Sequence, residues 1–324
     1  MKNQLQSREV LDALASGRPV SGADLAGRMG VTRAAVWKHV DALRARGVPI
    51  EARAGQGYRL AWPVQLLDAA EIEHRLIPTS TGALEVHWEL DSTSSELARR
   101  RDTLPDGTVV LAEGQQSGRG RRGRAWLSPP GLNIHASFLK RFDKGFAGLS
   151  GLSLAVGVAV IAAIEDLGVS TAGLKWPNDV MVGDAKLAGV LVELSGEYQG
   201  PCTAIVGIGL NVHLTDAMRA QIDQPATDLA ALCGGEPPSR NIVAARLITR
   251  LREGLARFDT AGFADFAGAF ADVDILCGRH LHLSGARGEF EGVGAGVDAL
   301  GALRVRTADG EVRVDSAEVT VRAQ

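Results

Sequence analysis

Cysteine is nearly absent from the 324-residue chain: Cys202, Cys233 and Cys277 are odd in number and far apart. None stands in a Cys-x-x-Cys or mixed Cys/His spacing, so the sequence offers no disulfide framework and no structural zinc, and it fits a reducing cytoplasm. Long apolar runs are also missing. The start, Met1-Lys2-Asn3-Gln4, is polar, and no run approaches the roughly 18 residues of a membrane span, so neither export nor membrane insertion is expected. The Gly-Lys-Ser/Thr ending of a P-loop is lacking too, so a Walker-type nucleotide site is a poor match. Strong net charge is a further absence, since the balance is only -3. That near-neutrality conceals a division. Residues 1–60 hold 10 Lys/Arg against 5 Asp/Glu, and the remainder holds 25 against 33. A basic head suited to a polyanion therefore precedes an acidic body. A hydrophobic content of 45% supports a large core and two or three domains.

In the head, Leu5, Val10, Leu11 and Leu14 predict a first helix that stops at Ser16-Gly17-Arg18-Pro19. Ser21 caps a second, closing at Gly30. Thr32 caps a third, from Arg33 to Arg46, whose buried stripe is Val36, Val40 and Leu43. Two short strands around a glycine turn follow, Val48 to Leu60. This is a winged helix-turn-helix pattern. In that geometry Arg33, Ala34, Trp37 and Lys38 face the DNA major groove, and Arg53 and Arg59 on the wing meet phosphates. A helical accessory domain for protein contacts is the competing reading, and Trp37 could equally pack on the first helix.

The body is organised around Gly118-Arg119-Gly120-Arg121-Arg122-Gly123-Arg124, four guanidiniums and three glycines in seven residues. Such a loop expects an anionic ligand, because glycine frees the backbone and each guanidinium presents five fixed donors to carboxylate or phosphate. Strand-like Val109-Val110-Leu111-Ala112 before it, and Leu132 to Ala136 after it, place it inside a folded domain. Before the loop, a strand from Leu84 to Leu90 enters the hydroxyl run Ser92-Thr93-Ser94-Ser95-Glu96, which also suits a plain capping box of a helix beginning near Ser94. After it come an apolar helix, Leu149 to Leu167, and Lys175-Trp176-Pro177-Asn178-Asp179, where Pro177 holds Trp176 extended. A cation and a carboxylate flanking this turn could serve phosphate and magnesium, or form a surface ion pair. Lys186 opens an apolar strand, Lys186-Leu187-Ala188-Gly189, as a partly buried ammonium needing an anion. In Gly207-Ile208-Gly209-Leu210-Asn211 the glycines clear one face of another strand for a ligand or a backbone. A long amphipathic helix region from Asn241 to Phe270 leads to short strands spaced like a small barrel: Leu281 to Leu283, Gly288 to Val293, Leu303 to Thr307, Glu311 to Val314 and Val319 to Arg322.

The ordered set Ser92-Thr93-Ser94, Gln115-x3-Gly118 to Arg124-x-Trp126, Lys175 to Asp179, Lys186 to Gly189 and Gly207 to Asn211 closely resembles that of bacterial bifunctional biotin protein ligases, which also repress the biotin operon. The resemblance covers nearly the whole chain. It implies an α+β fold: a winged helix-turn-helix over 1–62, a catalytic domain over 63–271 with a mixed sheet related to class II aminoacyl-tRNA synthetases, and an SH3-like barrel over 272–324. It implies ATP, biotin and Mg2+ as reactants and cofactor, biotinyl-5′-adenylate as intermediate, and a lysine of a carboxylase carrier domain as acceptor. Operator DNA and an adenylate-promoted homodimer are the implied partners. Arg121 and Lys186 are the implied catalytic residues. Biotin falls to Ser92, Thr93, Ser94, Gln115, Gly118, Arg119, Gly120, Arg121, Lys186, Gly189 and Gly207. ATP falls to Arg121, Lys175, Asn178, Asp179, Lys186, Asn211 and Arg322, with Asp179 as metal ligand. The family usually carries asparagine at the position of Ser94, and some members place an adenine-stacking tryptophan in the segment corresponding to Gln221–Leu229, which here has none. Two rivals stand beside this reading: a lipoate or octanoate transferase, and a repressor that senses biotin adenylate without ligating.

Overall fold

The computed structural model describes residues 2–53, 55–76, 82–285, 288–315 and 320–323. The head begins with α1 (Lys2–Leu14), α2 (Gly22–Met29) and α3 (Arg33–Ala45), followed by the hairpin of β1 (Ile50–Arg53) and β2 (Gly57–Leu60). Ser21 and Thr32 cap α2 and α3 by accepting the Asp24 and Ala35 N–H groups, and Gly30 ends α2 at φ 63°. The stripe Val36, Val40 and Leu43 is buried with Val10, Leu11, Leu14 and Leu25. Leu5, the first of the apolar residues that mark α1, is 55% exposed.

Next come α4 (Ala69–His74), β3 (Leu84–Leu90), α5 (Thr93–Arg100), β4 (Val109–Gln115), β5 (Ile134–Phe142), α6 (Leu152–Glu165), β6 (Ala172–Lys175), β7 (Asp179–Val182), β8 (Ala185–Gly196) and β9 (Cys202–Leu210). Seven strands form one mixed sheet in the order β3-β4-β5-β9-β8-β7-β6, parallel only between β3 and β4. Ile134, Ala136 and Phe138 face α6 and the long α9 (Arg240–Ala261), which follows the short α7 (Asp216–Arg219) and α8 (Leu229–Leu232). The alternate residues of β5, His135 and Ser137, therefore turn to the other face, toward α5.

Phe146–Glu165 is in fact long and apolar enough to cross a membrane, contrary to expectation, but 61% of it is buried against the rest of the protein. It is a core helix. The helix expected from Asn241 to Phe270 is broken at Gly262, φ 68°, into α9, one 3-10 turn and α10 (Ala267–Val273). The Trp176–Pro177 peptide is cis.

The chain closes with β10 (His280–Gly285), β11 (Gly288–Val297), β12 (Leu303–Thr307), β13 (Gly310–Val314) and β14 (Thr320–Ala323), an antiparallel sheet in the order β13-β12-β11-β10-β14. The strand placement follows expectation, although Val319 lies outside the described residues. Among the described residues β13 and β14 are not paired with each other, so the small barrel is an open five-stranded sheet. Its inner residues Leu281, Leu303 and Val305 join the core of the large sheet, and Trp176 Nε1 donates to Gly301 O at 3.0 Å.

Candidate active site and DNA-facing surface

Strand register sets the floor of the site. Cross-strand partners place Ala112, His135, Gly209, Gly189, Asp179 and Lys175 in one row, with Ser137, Gly207 and Leu191 in the next. Residues directly opposite share a face. Two glycines side by side cut a trough, and the Trp126 indole fills it: a Cβ on Gly209 would lie 2.3 Å from the ring and one on Gly189 3.2 Å. What the second glycine of Gly207-Ile208-Gly209 admits is thus a side chain of the arginine loop. Above this floor lies a cavity of about 330 Å³, within the size range of small-molecule sites.

One end of the cavity is lined by hydroxyls. Ser94 Oγ and Thr93 Oγ1 lie 2.9 and 2.7 Å from Ser137 Oγ, and Thr93 donates both its N–H (2.9 Å) and its Oγ1–H (3.2 Å) to Gln115 Oε1. Each hydroxyl has a single hydrogen. Since Thr93 donates to Gln115, Ser137 must donate to Thr93 and Ser94 to Ser137. Gln115 Nε2 continues the chain to Ser128 Oγ, which donates to Trp126 O. The hydroxyl hydrogens of this chain are all committed, so the free lone pairs of the hydroxyls favour a ligand bearing N–H donors. Ser92 is the cap of α5, its Oγ accepting from the Ser95 N–H at 3.5 Å. The capping box does not form, because Glu96 turns to Arg99 and Arg100 at 2.6 and 3.2 Å. Ser94 is no cap; it lines the cavity.

The opposite end is cationic. The glycine-arginine loop folds as a tight hairpin, with an Arg119–Ala125 bridge and Gly120 N donating to Arg124 O at 2.7 Å. The turn is possible because Arg122 takes φ 59° and Gly123 φ 72°, left-handed backbone that glycine adopts freely and arginine rarely. It aims Arg121 inward, where Nη1 donates to Asn178 Oδ1 at 3.2 Å. Burial, and the charges of Arg122 and Arg124, push the Arg121 guanidinium below its usual range, opposed by Asp179. Arg119 points outward to Ser95 Oγ (3.0 Å) and Glu193 (3.5 Å). Lys186 Nζ lies 2.7 Å from Asp179 Oδ1 and 5.4 Å from the Trp126 ring centre. Asn211 Nδ2 donates to the carbonyls of Lys186 (3.3 Å) and Thr227 (3.1 Å). This holds residues 225–227 beside Lys186 and brings Leu214, Met218, Ile222 and Ala226 to the cavity wall.

Of the expected biotin residues, Ser92, Thr93, Ser94, Gln115, Arg119, Gly120, Arg121, Lys186, Gly189 and Gly207 line this cavity, as do Asn178 and Asn211 from the ATP set. Gly118 is buried behind the loop: a Cβ there would lie 2.6 Å from Trp126 O. Lys175 and Asp179 are not on the wall. The anion that Lys186 needs is supplied by Asp179, and among the described residues no three His, Cys, Asp or Glu converge on a metal position. A magnesium ion here would be held mainly by phosphates and water, with Asp179, now paired with Lys186, as a nearby carboxylate. Arg322 pairs with His282 on the backbone of the last strand, but its side chain lies outside the described residues. Ser137, Trp126 and residues of the 214–226 segment also line the cavity, beyond the expected set. A serine within the apolar run Ile134 to Phe138 is the available signal for the first.

On the head, Arg33, Ala34, Trp37 and Lys38 are all exposed along one side of α3. Trp37 is not among the described apolar residues packed into the head's core. The wing arginines share a partner that sequence reasoning leaves out: Glu51 takes Arg59 at 2.7 Å and Arg53 at 3.6 Å.

Residues 89–211 match the biotin/lipoate A/B protein ligase family model, and residues 7–59 match a helix-turn-helix domain. The chain is 36% identical over 303 residues to the bifunctional ligase/repressor BirA of Escherichia coli, covering 94% of this chain and 93% of that one. The chain belongs to the bifunctional biotin ligase/repressor family. Its relatives also include the bifunctional ligase/repressor of Bacillus subtilis, 29% identical over 303 residues with 93% of both chains covered. The biotin protein ligase of Aquifex aeolicus in complex with biotin and ATP superimposes with a TM-score of 0.64 at 31% identity, covering 75% of this chain and 99% of that one. Membership in the ligase/repressor family accounts for the joining of a cationic small-molecule site to a DNA-binding head.

Proposed function

We propose that this chain activates biotin with Mg2+-ATP and transfers it to a specific lysine of a carboxylase carrier domain, and that its head represses biotin-synthesis genes by binding operator DNA. The observation that carries the first half is the single cavity with N–H-accepting hydroxyls at one end and Arg121, Lys186 and Asn178 at the other. The ureido ring of biotin offers N–H donors to Ser94 and Thr93, and its carboxylate extends past Trp126 to the cations. Carboxylate oxygen attacks the α-phosphorus, pyrophosphate leaves, and the mixed anhydride remains; the acceptor amine then attacks its carbonyl and AMP leaves. Arg121 and Lys186 reduce the repulsion between two anions and hold charge on the phosphoryl oxygens, a contribution of about 3 kcal/mol per well-placed donor. Gly120, Gly189 and Gly207 keep the cavity wall open to biotin, and Gly118, assigned to the same set, acts from behind the loop by leaving room for the Trp126 carbonyl. Lys175, Asn178, Asn211 and Arg322 are assigned to the nucleotide. Magnesium arrives as the counter-ion of ATP.

The DNA reading rests on the exposed α3 face and the positive head. We assign adenylate-promoted dimerisation to β8, which beyond Val190 pairs, among the described residues, with β9 alone and leaves an open edge carrying Leu194, 40% exposed. Three free thiols fit a cytoplasmic site of action, and 1–62, 63–271 and 272–324 are the proposed domains, the last SH3-like. The sensor-only alternative lacks support because Arg121, Lys186 and Asn178 are all present. The arginine loop and the head argue against a lipoate transferase. Biotin-dependent ATP–pyrophosphate exchange tests the activation step: exchange is expected with biotin and not with lipoate or octanoate, and its absence with biotin would refute the assignment.

A further inference from the structure

Trp37 is 54% exposed, and it stands outside the apolar cluster that packs the rest of the head. It sits on the outward side of α3, one turn after Arg33 and Ala34 and next to Lys38, all exposed. Leaving an indole in water is unfavourable in proportion to its apolar area, so the residue calls for an occupant. The two flanking cations select a polyanion. Meanwhile Arg53 and Arg59, the wing residues expected to meet phosphates, are both paired with Glu51, at 3.6 and 2.7 Å.

We propose that Trp37, with Ala34, reads thymine 5-methyl groups in the major groove, so that part of the operator's sequence is recognised by apolar contact rather than by hydrogen bonds. The thymine methyl is the one apolar group that base pairs present in that groove. Arg33 and Lys38 hold the neighbouring phosphates and fix the helix in register, and the indole covers the methyl between them. This inference rests on the DNA-binding reading and specifies its chemistry.

The test uses the full chain with biotin and Mg2+-ATP. Sites are selected from random duplexes, and each thymine of the selected site is replaced by deoxyuridine, which removes only the methyl. Wild type is expected to lose about fourfold in affinity at one or two thymines per half-site, the worth of one buried carbon. Trp37→Ala should bind the selected site more weakly and be indifferent to the replacement, whereas Trp37→Phe should keep part of it. A Trp37→Ala protein with the wild-type uracil profile would overturn the inference while leaving DNA binding intact. Loss of self-association by that variant, with its uracil profile unchanged, would overturn it too, since a second copy would then cover the indole. If wild type binds no duplex, the DNA-binding reading falls as well.

Discussion

Ser137 is the residue on which the hydroxyl end of the cavity turns, because it accepts from Ser94 and donates to Thr93. Ser137→Ala leaves both neighbours short of a partner, each worth about 1 kcal/mol. The expected result is a KM for biotin raised roughly tenfold with kcat nearly unchanged, read from steady-state exchange kinetics. His135, one residue pair along the same face, is fully buried with neither ring nitrogen partnered, and burial, aided by the charge of Arg240, lowers its pKa to about 3. The unfolded chain takes up that proton near the ordinary 6.5 and the folded chain does not, so stability is intact above about 6.5 and falls as pH drops toward 3, by roughly 1.4 kcal/mol per unit. Thermal denaturation between pH 7 and 4 should show that slope, and His135→Phe should flatten it. In the sequence only their polarity marks them. Both are polar groups in what reads as an apolar strand, and their importance comes from neighbours on strands distant in the chain.

At the level of elements, the sequence announces nearly every helix and strand through local chemistry. Ser21, Gly30 and Thr32 mark the head's helix ends by capping and by left-handed backbone, and the alternation in β5 and β9 marks core strands. What local chemistry cannot supply is register. The trough of Gly189 and Gly209 and its filling by Trp126 exist only because β8 and β9 pair at that offset. The lysine of Lys186-Leu187-Ala188-Gly189 needs an anion, as its place in an apolar strand implies, but the identity of that anion, Asp179, depends on how β7 lies beside β8. The wing offers a prediction at this scale. Gly57 has φ 95°, and a Cβ there would lie 2.2 Å from Val20 O. Gly57→Ala should therefore loosen the β1–β2 hairpin from α2, seen as faster amide exchange over residues 50–60 and weaker DNA binding.

Over the whole molecule, the expected boundaries are not breaks in packing. The head's apolar cluster extends to Leu132, Leu214 and Met218, and the last two also wall the cavity. Arg46, at the end of α3, pairs with Glu89 on β3 at 2.6 Å, with Glu89 only 8% exposed. Trp62 stacks on His213 at 4.0 Å between ring centres. Glu89→Gln removes one charge of a largely buried pair and should lower stability by about 2 kcal/mol, measured by denaturant unfolding. The glycine-arginine loop, an anion trap by its sequence, gains from the fold a defined inward member, Arg121, beside Asn178 and near Lys186. Arg121 makes this loop the element that activates biotin for transfer. The most direct measurement incubates the protein with Mg2+-ATP, labelled biotin and a carboxylase carrier domain, comparing wild type with Arg121→Gly. Wild type is predicted to label one carrier lysine, and Arg121→Gly to release adenylate that labels bystander lysines. Formation of adenylate by wild type without label on the carrier, or unaltered carrier selectivity in Arg121→Gly, would contradict the account.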